Sequence, residues 1–200
     1  MYVDDNSELS STEELALLNE KYHTLLADRT WNFNKTTTTS TQSTSVPYVS
    51  LAADFSFLLP NYNYTEMFAS NDQGSAPVVV FVGTDYTPYR VINWSDRRQY
   101  RNQDGYAYVD YPNTRLYFTL QPASAKSIEY DYYKAVSDLT TSDSPAFPSE
   151  FHPIIYLDMA LDDDIIQRYP KAESYLAENR AKRDEKYRQL AYWDSQFNFS

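Results

Sequence analysis

The chain of 200 residues contains no cysteine and only three glycines. Without cysteine there is no thiol nucleophile, no cysteine-ligated zinc site and no disulfide, and the redox compartment is left open. Gly74, Gly83 and Gly105 are too few and too far apart for a GxGxxG turn or a GxxxxGK[ST] phosphate loop. Nucleotide-dependent chemistry of the common kinds is therefore not expected, and we predict no cofactor.

Long apolar runs are also missing. The longest, residues 78–82, is far shorter than the roughly 20 residues of a membrane-spanning helix. The first 20 residues carry six acidic and no basic side chains. Because a secretory signal needs a basic start and an apolar core, we expect neither a signal peptide nor a membrane partner.

The net charge of −11 argues against a protein that binds nucleic acid by neutralising phosphates. It permits a wall past which DNA slides, since repulsion prevents sticking. Basic residues concentrate at 168–188, and one basic island stands in the acidic middle of the chain: Arg90, Arg97, Arg98 and Arg101. The 20 tyrosines are an unusually high number and favour strands and interfaces.

Helical patterns occur at both ends of the chain. Ser11 and Glu14 fit a capping box, and an apolar stripe follows to about Arg29. Ser149 is the expected N-cap of a second helix, apolar on more than one side, which Pro170 ends. A third helix is expected from about Lys171 to Tyr192.

The middle of the chain has a β pattern. Residues 35–45 begin with a threonine-rich run that fits either a disordered linker or an edge strand, and we favour the strand because 46–49 resume a strand-like pattern. Turn signals separate further strand-like segments at 78–82, 106–111, 115–120 and 127–134. This spacing predicts an antiparallel β-sandwich or small barrel. Residues 135–148 read as a loop.

The expected fold is α+β, a small helical bundle with an inserted antiparallel β domain. The bundle consists of the N-terminal helix and the two C-terminal helices. We assign residues 1–34 and 148–200 to this bundle and its C-terminal tail. Residues 35–147 form the inserted β domain.

No residue pattern indicates catalysis. His23 and His152 lack a second ligand at helical spacing, so both are interpreted as structural. Asp158 and the run 162–164 suggest a metal site, but the glycine turn and closing glutamate of a calcium loop are missing. A solvated acidic face, or a patch that faces a partner's basic residues, fits better. We therefore expect neither a metal site nor an enzyme.

Three segments, taken in order, resemble the head-to-tail adaptor (connector) proteins of tailed bacteriophages, including the tail tubular protein A group. The first is Arg29-Thr30-Trp31-Asn32-Phe33, which leads into the threonine-rich arm. The second is the run 48–55, YVSLAADF, with Ala52-Ala53 where the family pattern has a proline before Asp-Phe. The third comprises Tyr132-Tyr133, Leu139-Thr140 and the run 143–153, DSPAFPSEFHP. The resemblance covers roughly residues 12–194, while 56–75 and 162–164 have no counterpart.

The resemblance implies a structural virion protein at the head–tail junction, assembled in the host cytoplasm. Members of the adaptor family form a ring, usually of twelve copies, beneath the portal protein and continue the DNA channel toward a tail nozzle or tube protein. DNA would pass through the lumen without sequence-specific binding. The local chemistry agrees, because tyrosine-rich strands and mixed charge suit lateral subunit contacts.

Two sets of residues are the candidate contact sites. Portal docking is expected through the C-terminal aromatics and the basic last helix: Trp193, Phe197, Phe199, Arg183, Lys186 and Arg188. Contact with a neighbouring subunit or the tail is expected through Arg90, Arg97, Arg98 and Arg101. For the tail, the alternative is that the aromatic rings fold back onto the helices; for the arginines, it is a solvated loop.

A different class of protein also fits the β pattern. Aromatic side chains of a carbohydrate- or receptor-binding tail module could stack on sugars, and Trp94, Tyr100, Tyr106 and Tyr108 could serve. The flanking helices argue against this alternative, because such modules seldom need them. A tail-completion or fibre-attachment protein would differ only in its place in the particle.

Overall fold

The computed structural model describes residues 9–44, 46–65, 67–68 and 76–197. The chain separates into two compact units. The helical unit combines Met1–Asn34 with Val136–Ser200, and the β unit is Lys35–Ala135. The α+β class is confirmed, with the β unit interrupting the helical unit in sequence.

The described part of the helical unit contains four α-helices. They are α1 (Ser11–Ala27), α2 (Pro153–Ala160), α3 (Asp163–Arg168) and α4 (Glu173–Asp194). α2 contacts both α1 and α4. The core includes the buried residues Tyr22, Leu25, Leu26, Trp31, Phe147, Phe151, Ile154, Ile155 and Leu190.

The cap of α1 lies one residue earlier than the sequence suggests. Ser10 is the N-cap, and its Oγ accepts the Glu13 N–H at 3.3 Å. The Glu13 carboxylate in turn accepts the Ser10 N–H at 2.9 Å. The prediction of Ser11 and Glu14 is wrong by one position, because Ser10-Ser11 and Glu13-Glu14 satisfy the same spacing in either register.

The helix expected to run from Ser149 to Pro170 is divided. Its first residues, Ser149–Phe151, form a 3-10 turn, and α2 starts at Pro153. α2 ends at Ala160, and Asp162 caps α3 by accepting the Asp164 N–H at 3.0 Å. A short acidic side chain at the N-cap, followed by acidic residues in the first turn, stabilises a new helix start.

The segment 136–147, placed with the β domain from sequence, clusters with the helical unit. Leu139 and Phe147 are buried in the helical core. The Asn19 amide of α1 donates to the Leu139 carbonyl at 3.0 Å and accepts the Leu139 N–H at 2.7 Å. Two hydrogen bonds and a buried leucine thus attach an irregular segment to α1.

The β unit contains a single mixed sheet among its described residues. Its strands are β1 (Lys35–Gln42), β2 (Tyr48–Ser50), β3 (Phe55–Leu58), β4 (Val78–Val82), β5 (Thr87–Ile92), β6 (Tyr106–Asp110), β7 (Arg115–Phe118) and β8 (Lys126–Lys134). The strand order is β1-β8-β4-β5-β6-β7-β2, and β3 also pairs with β8. Because β1 and β2, at the two ends of this order, also contact each other, the sheet is a nearly closed barrel.

The threonine-rich run forms a strand as predicted, since Lys35–Gln42 pairs antiparallel with β8. The expectation of a wholly antiparallel sheet is wrong at one pair, because β5 and β6 run parallel. A 3-10 turn at Trp94–Arg98 and the turns after it carry the chain back before β6 begins. Val80, Leu116, Ile128 and Tyr130 are fully buried inside the barrel.

Candidate partner-binding surfaces

The basic island divides into Arg97, which binds Trp94, and three arginines that the described residues leave without such a contact. Arg97 lies over the Trp94 ring, 4.1 Å from its centre, and donates to the Trp94 carbonyl at 2.6 Å. Arg98 and Arg101 are exposed and Arg90 is half-buried on β5. None of the three forms an ion pair with any residue that the structure describes. They therefore provide positive charge that a partner can neutralise.

A row of aromatic rings crosses β2, β7 and β6, and it was not foreseen from sequence. Tyr117 lies opposite Tyr48 on one side and Tyr108 on the other. Ring centres are 5.2 Å apart for Tyr48–Tyr117 and 5.4 Å apart for Tyr108–Tyr117, the latter pair being parallel within 3°. Each tyrosine alternates with a core residue along its strand, so strand register could have revealed the row.

An arginine side chain packs on the aromatic ring at each end of this row. Arg115 lies over the Tyr48 ring at 4.3 Å. At the other end Trp94 meets Tyr108 edge to face at 5.2 Å, and Arg97 covers Trp94. Ring faces therefore contact other rings or guanidinium groups, an arrangement that stabilises the sheet surface.

The four aromatics proposed for sugar stacking form two separate pairs. Trp94 packs with Tyr108, and Tyr100 packs with Tyr106 at 4.5 Å between ring centres. Sugar binding by stacking needs a free ring face. Arg97 covers one face of Trp94, which is still 46% exposed, and Tyr117 stacks on one face of Tyr108, so each of these rings has one face occupied.

The predicted C-terminal anchor is part helix and part tail. α4 continues through Trp193, whose half-buried ring packs on Phe33 at 5.8 Å and on Phe151 at 5.9 Å. Phe197 packs edge to face on Trp193 at 4.7 Å and remains 40% exposed. Phe199 lies outside the described residues. Trp193 thus contributes to the helical core, whereas Phe197 and the 71% exposed Tyr192 of α4 remain available to a partner.

The three basic residues of α4 proposed for docking differ in their contacts. Arg183 binds Asp158 of α2 at 3.0 Å and its neighbour Asp184 at 2.7 Å. Burial raises the pKa of the Asp158 carboxyl, and the Arg183 guanidinium opposes this rise. Arg188 pairs with Glu185 at 3.1 Å on the surface, whereas Lys186 forms no ion pair with a described residue. As far as the described residues go, Lys186 is thus the basic group of α4 without a paired acidic group.

The acidic run has local structural roles. Asp162 caps α3 and accepts from the Lys21 ammonium at 2.6 Å. That hydrogen bond lowers the pKa of Asp162. Asp163 and Asp164 occupy the first turn of α3, where the helix dipole favours negative charge. No group of three potential metal ligands occurs among the described residues.

Both histidines have hydrogen-bond partners. His23 Nε2 lies 2.7 Å from the Asp138 carboxylate on the surface. His152 Nε2 lies 2.9 Å from the Phe147 carbonyl and its ring meets the Phe147 ring edge-on. His152 thus fixes the turn that precedes α2.

An apolar groove runs between α2 and α4 within the helical unit, with a volume of about 700 Å³. Pro153, Tyr156, Leu157 and Ala160 line it from α2, at the spacing of one helix face. The opposite face of α2 carries the buried Ile154, Ile155 and Met159. α2 is therefore apolar on two sides, of which only one faces the core. Across the groove, Tyr175 and Lys186 belong to α4.

Comparison with protein-family models finds no matching family, and comparison with curated proteins finds no matching relative. Among the described residues, no helix combines the length and the apolar character needed to cross a membrane.

Proposed function

We propose that this protein is a non-enzymatic structural subunit of a tailed-phage virion, a head-to-tail adaptor that joins the portal to the tail and continues the DNA channel. Twelve copies in a ring is the stoichiometry that the resemblance implies. One observation carries the proposal: two of the family-like segments, distant in sequence, form one aromatic cluster in the helical unit. Trp31 packs on Phe33, Phe33 on Phe147 and Phe147 on His152, with ring centres 5.5–5.8 Å apart.

The charge distribution supports the same role. The β unit contains eight basic and nine acidic residues, so its net charge is −1, and the remaining −10 belongs to the helical unit. Acidic surfaces repel DNA and let it move past without binding. The near-neutral β unit, with its unpaired arginines, suits contact with acidic protein surfaces. We assign Arg90, Arg98 and Arg101 to the contact with a neighbouring subunit or the tail.

Portal docking is assigned to the end of α4 and the residues after it. Phe197 and Tyr192 are the exposed aromatics among the described residues of this region, and Arg188 supplies an exposed basic group. Aromatic anchors often dominate the free energy of an interface. Arg183 and Trp193 act indirectly, since their contacts hold α4 against α2 and the helical core.

The test is assembly with the portal protein encoded in the same genome. The purified chain alone should sediment as a monomer or weak oligomer, because an adaptor that closed into rings by itself would compete with its own attachment. Mixed with portal, it should form a ring visible by negative-stain electron microscopy. Failure to bind portal under all conditions, together with specific binding on a glycan array, would instead favour the carbohydrate-binding module.

A further inference from the structure

The turn between β4 and β5 displays an aromatic ring at a strained position. Gly83, Thr84, Asp85 and Tyr86 connect Val82 to Thr87. Tyr86 has φ = 52° and its side chain is 56% exposed. Of the described residues, three non-glycines have positive φ, namely Tyr86, Asn102 and Thr114, and Tyr86 is the aromatic one. Bulky side chains rarely adopt this conformation, and such strain is concentrated at binding sites.

The rest of the turn holds Tyr86 in place. Gly83 has φ = 81°, and its N–H donates to the Ser127 carbonyl of β8 at 2.8 Å. The Asp85 side chain folds over Gly83, where a Cβ would lie only 2.6 Å from Asp85 Oδ1, and accepts the Thr87 hydroxyl at 3.0 Å. That hydrogen bond lowers the pKa of Asp85, so the turn presents a tyrosine ring beside a negative charge.

The groove between α2 and α4 is complementary to this turn. Its two tyrosines, Tyr156 and Tyr175, are 57% and 46% exposed, so it has an apolar lining without a cover among the described residues. The groove is also lined by charged residues of α4. Glu178 pairs with Lys182 at 2.6 Å and Glu185 with Arg188 at 3.1 Å, whereas Lys186 has no ion pair with any described residue. The Tyr86 ring could pack on the apolar lining while the neighbouring Asp85 carboxylate pairs with the Lys186 ammonium.

We propose that Tyr86 of one copy binds in the α2–α4 groove of a second copy of this chain. This inference rests on the adaptor proposed above, because a contact between two different surfaces of identical chains forms a ring when the rotation between neighbours closes. Tyr86 inserts its ring between Tyr156 and Tyr175, and Asp85 approaches Lys186. The strain at Tyr86 is then the cost of presenting the ring to the neighbour.

Cross-linking can test this contact without background from native thiols of this chain, because it has no cysteine. One protein carries Thr84→Cys in the turn and another carries Ala181→Cys beside the groove, and the two are mixed, assembled with portal, and treated with a short bis-maleimide. We expect a heterodimer from the mixture and no dimer from either protein alone. Ala177→Cys, exposed on the side of α4 opposite Tyr175 and outside the groove lining, is the matched control and should not react with Thr84→Cys.

Tyr86→Gly in the Thr84→Cys protein separates binding from folding. Glycine relieves the positive φ, so the melting temperature should rise. The yield of heterodimer should nevertheless fall, roughly tenfold for an aromatic anchor. A destabilised protein would instead show both quantities falling, and that result would contradict the assignment of strain to Tyr86.

The remaining outcomes distinguish this contact from the adaptor function. Portal-bound rings without the 84–181 cross-link would overturn the Tyr86 contact and leave the adaptor proposal intact. A cross-link from Ala181→Cys to portal, in place of Thr84→Cys, would show that portal covers the groove and would also overturn it. A wild-type chain that never assembles would overturn both proposals.

Discussion

Tyr132 donates its phenolic hydrogen to the Asp54 carboxylate across 2.7 Å within the β unit. Burial, together with this carboxylate, raises the pKa of Tyr132 from 10.0 to about 12. Above pH 10 the unfolded chain loses the phenolic proton while the folded chain keeps it. Folding stability should therefore be constant with respect to this group below pH 10 and fall between pH 10 and 12. The free energy of unfolding should fall by at most about 2.7 kcal/mol over this range. Urea unfolding at a series of pH values measures it.

Tyr132→Phe should remove this alkaline dependence. At neutral pH the variant loses one hydrogen bond, at a cost of about 1 kcal/mol, since the exposed Asp54 is then solvated by water. Between pH 10 and 12 its stability should fall less than that of the wild type. The exposed Tyr62→Phe is the control and should reproduce the wild-type profile. An unchanged alkaline slope in Tyr132→Phe would assign the effect to other tyrosines.

Ser10 and Ser11 should respond very differently to replacement by alanine. Ser10→Ala removes the N-cap of α1 and leaves the Glu13 N–H without its acceptor, so unfolding should be easier by about 1 kcal/mol. Ser11 is the first helical residue, where alanine is well tolerated. Thermal unfolding of both variants gives the comparison. A larger loss for Ser11→Ala would support the capping register inferred from sequence.

The ion pair between Asp158 and Arg183 should stabilise the α2–α4 contact. Arg183→Met leaves the half-buried Asp158 carboxylate without its partner, which should cost about 1–3 kcal/mol. Burial already raises the pKa of Asp158, and the substitution should raise it further. Because protonation then relieves the buried charge, the variant should recover stability as pH falls through the raised pKa. Asp158→Asn in the Arg183→Met background should recover part of the loss at neutral pH, and no recovery would show that charge burial is not the cause.

Local patterns predicted the fold class and most elements correctly. The threonine-rich strand, the buried β4 and the helices at both chain ends follow from residue type and periodicity. The details that were predicted wrongly are those for which the local sequence fits two alternatives equally well. Two serines precede two glutamates at the start of α1, and of the two possible registers the structure has the one capped by Ser10.

Other features depend on pairing between distant residues. The parallel β5–β6 pair and the Tyr48–Tyr117–Tyr108 row require strand order, which periodicity alone does not supply. Segment 136–147 reads as a polar loop, but Leu139 and Phe147 join the helical core. Tyr86 gave no sequence signal, because positive φ at a tyrosine contradicts its intrinsic preference.

Trp193 and Phe197 should separate folding from portal binding. Trp193→Ala removes a half-buried ring that packs on Phe33 and Phe151, so it should destabilise the subunit by about 2–4 kcal/mol. Phe197→Ala should change stability by less than about 1 kcal/mol and weaken binding to portal. Thermal unfolding and portal pull-down measure the two effects. Wild-type portal binding by Phe197→Ala would remove this residue from the docking surface.

Arg98 and Arg101 should act through long-range electrostatics. Their charges are exposed and lack ion pairs among the described residues, so reversal of both, Arg98→Glu with Arg101→Glu, should leave the fold intact. Joining to the tail or a neighbouring subunit should weaken by about 1–2 kcal/mol at low salt, since each exposed pair contributes about 0–1 kcal/mol and reversal adds repulsion. At about 1 M salt the screening length falls to about 3 Å, and the difference should nearly vanish. In vitro particle assembly at both salt concentrations measures this, with the exposed Lys171→Glu in the helical unit as the control. An equal defect at both salt concentrations would indicate that the two arginines act through shape or folding instead of charge.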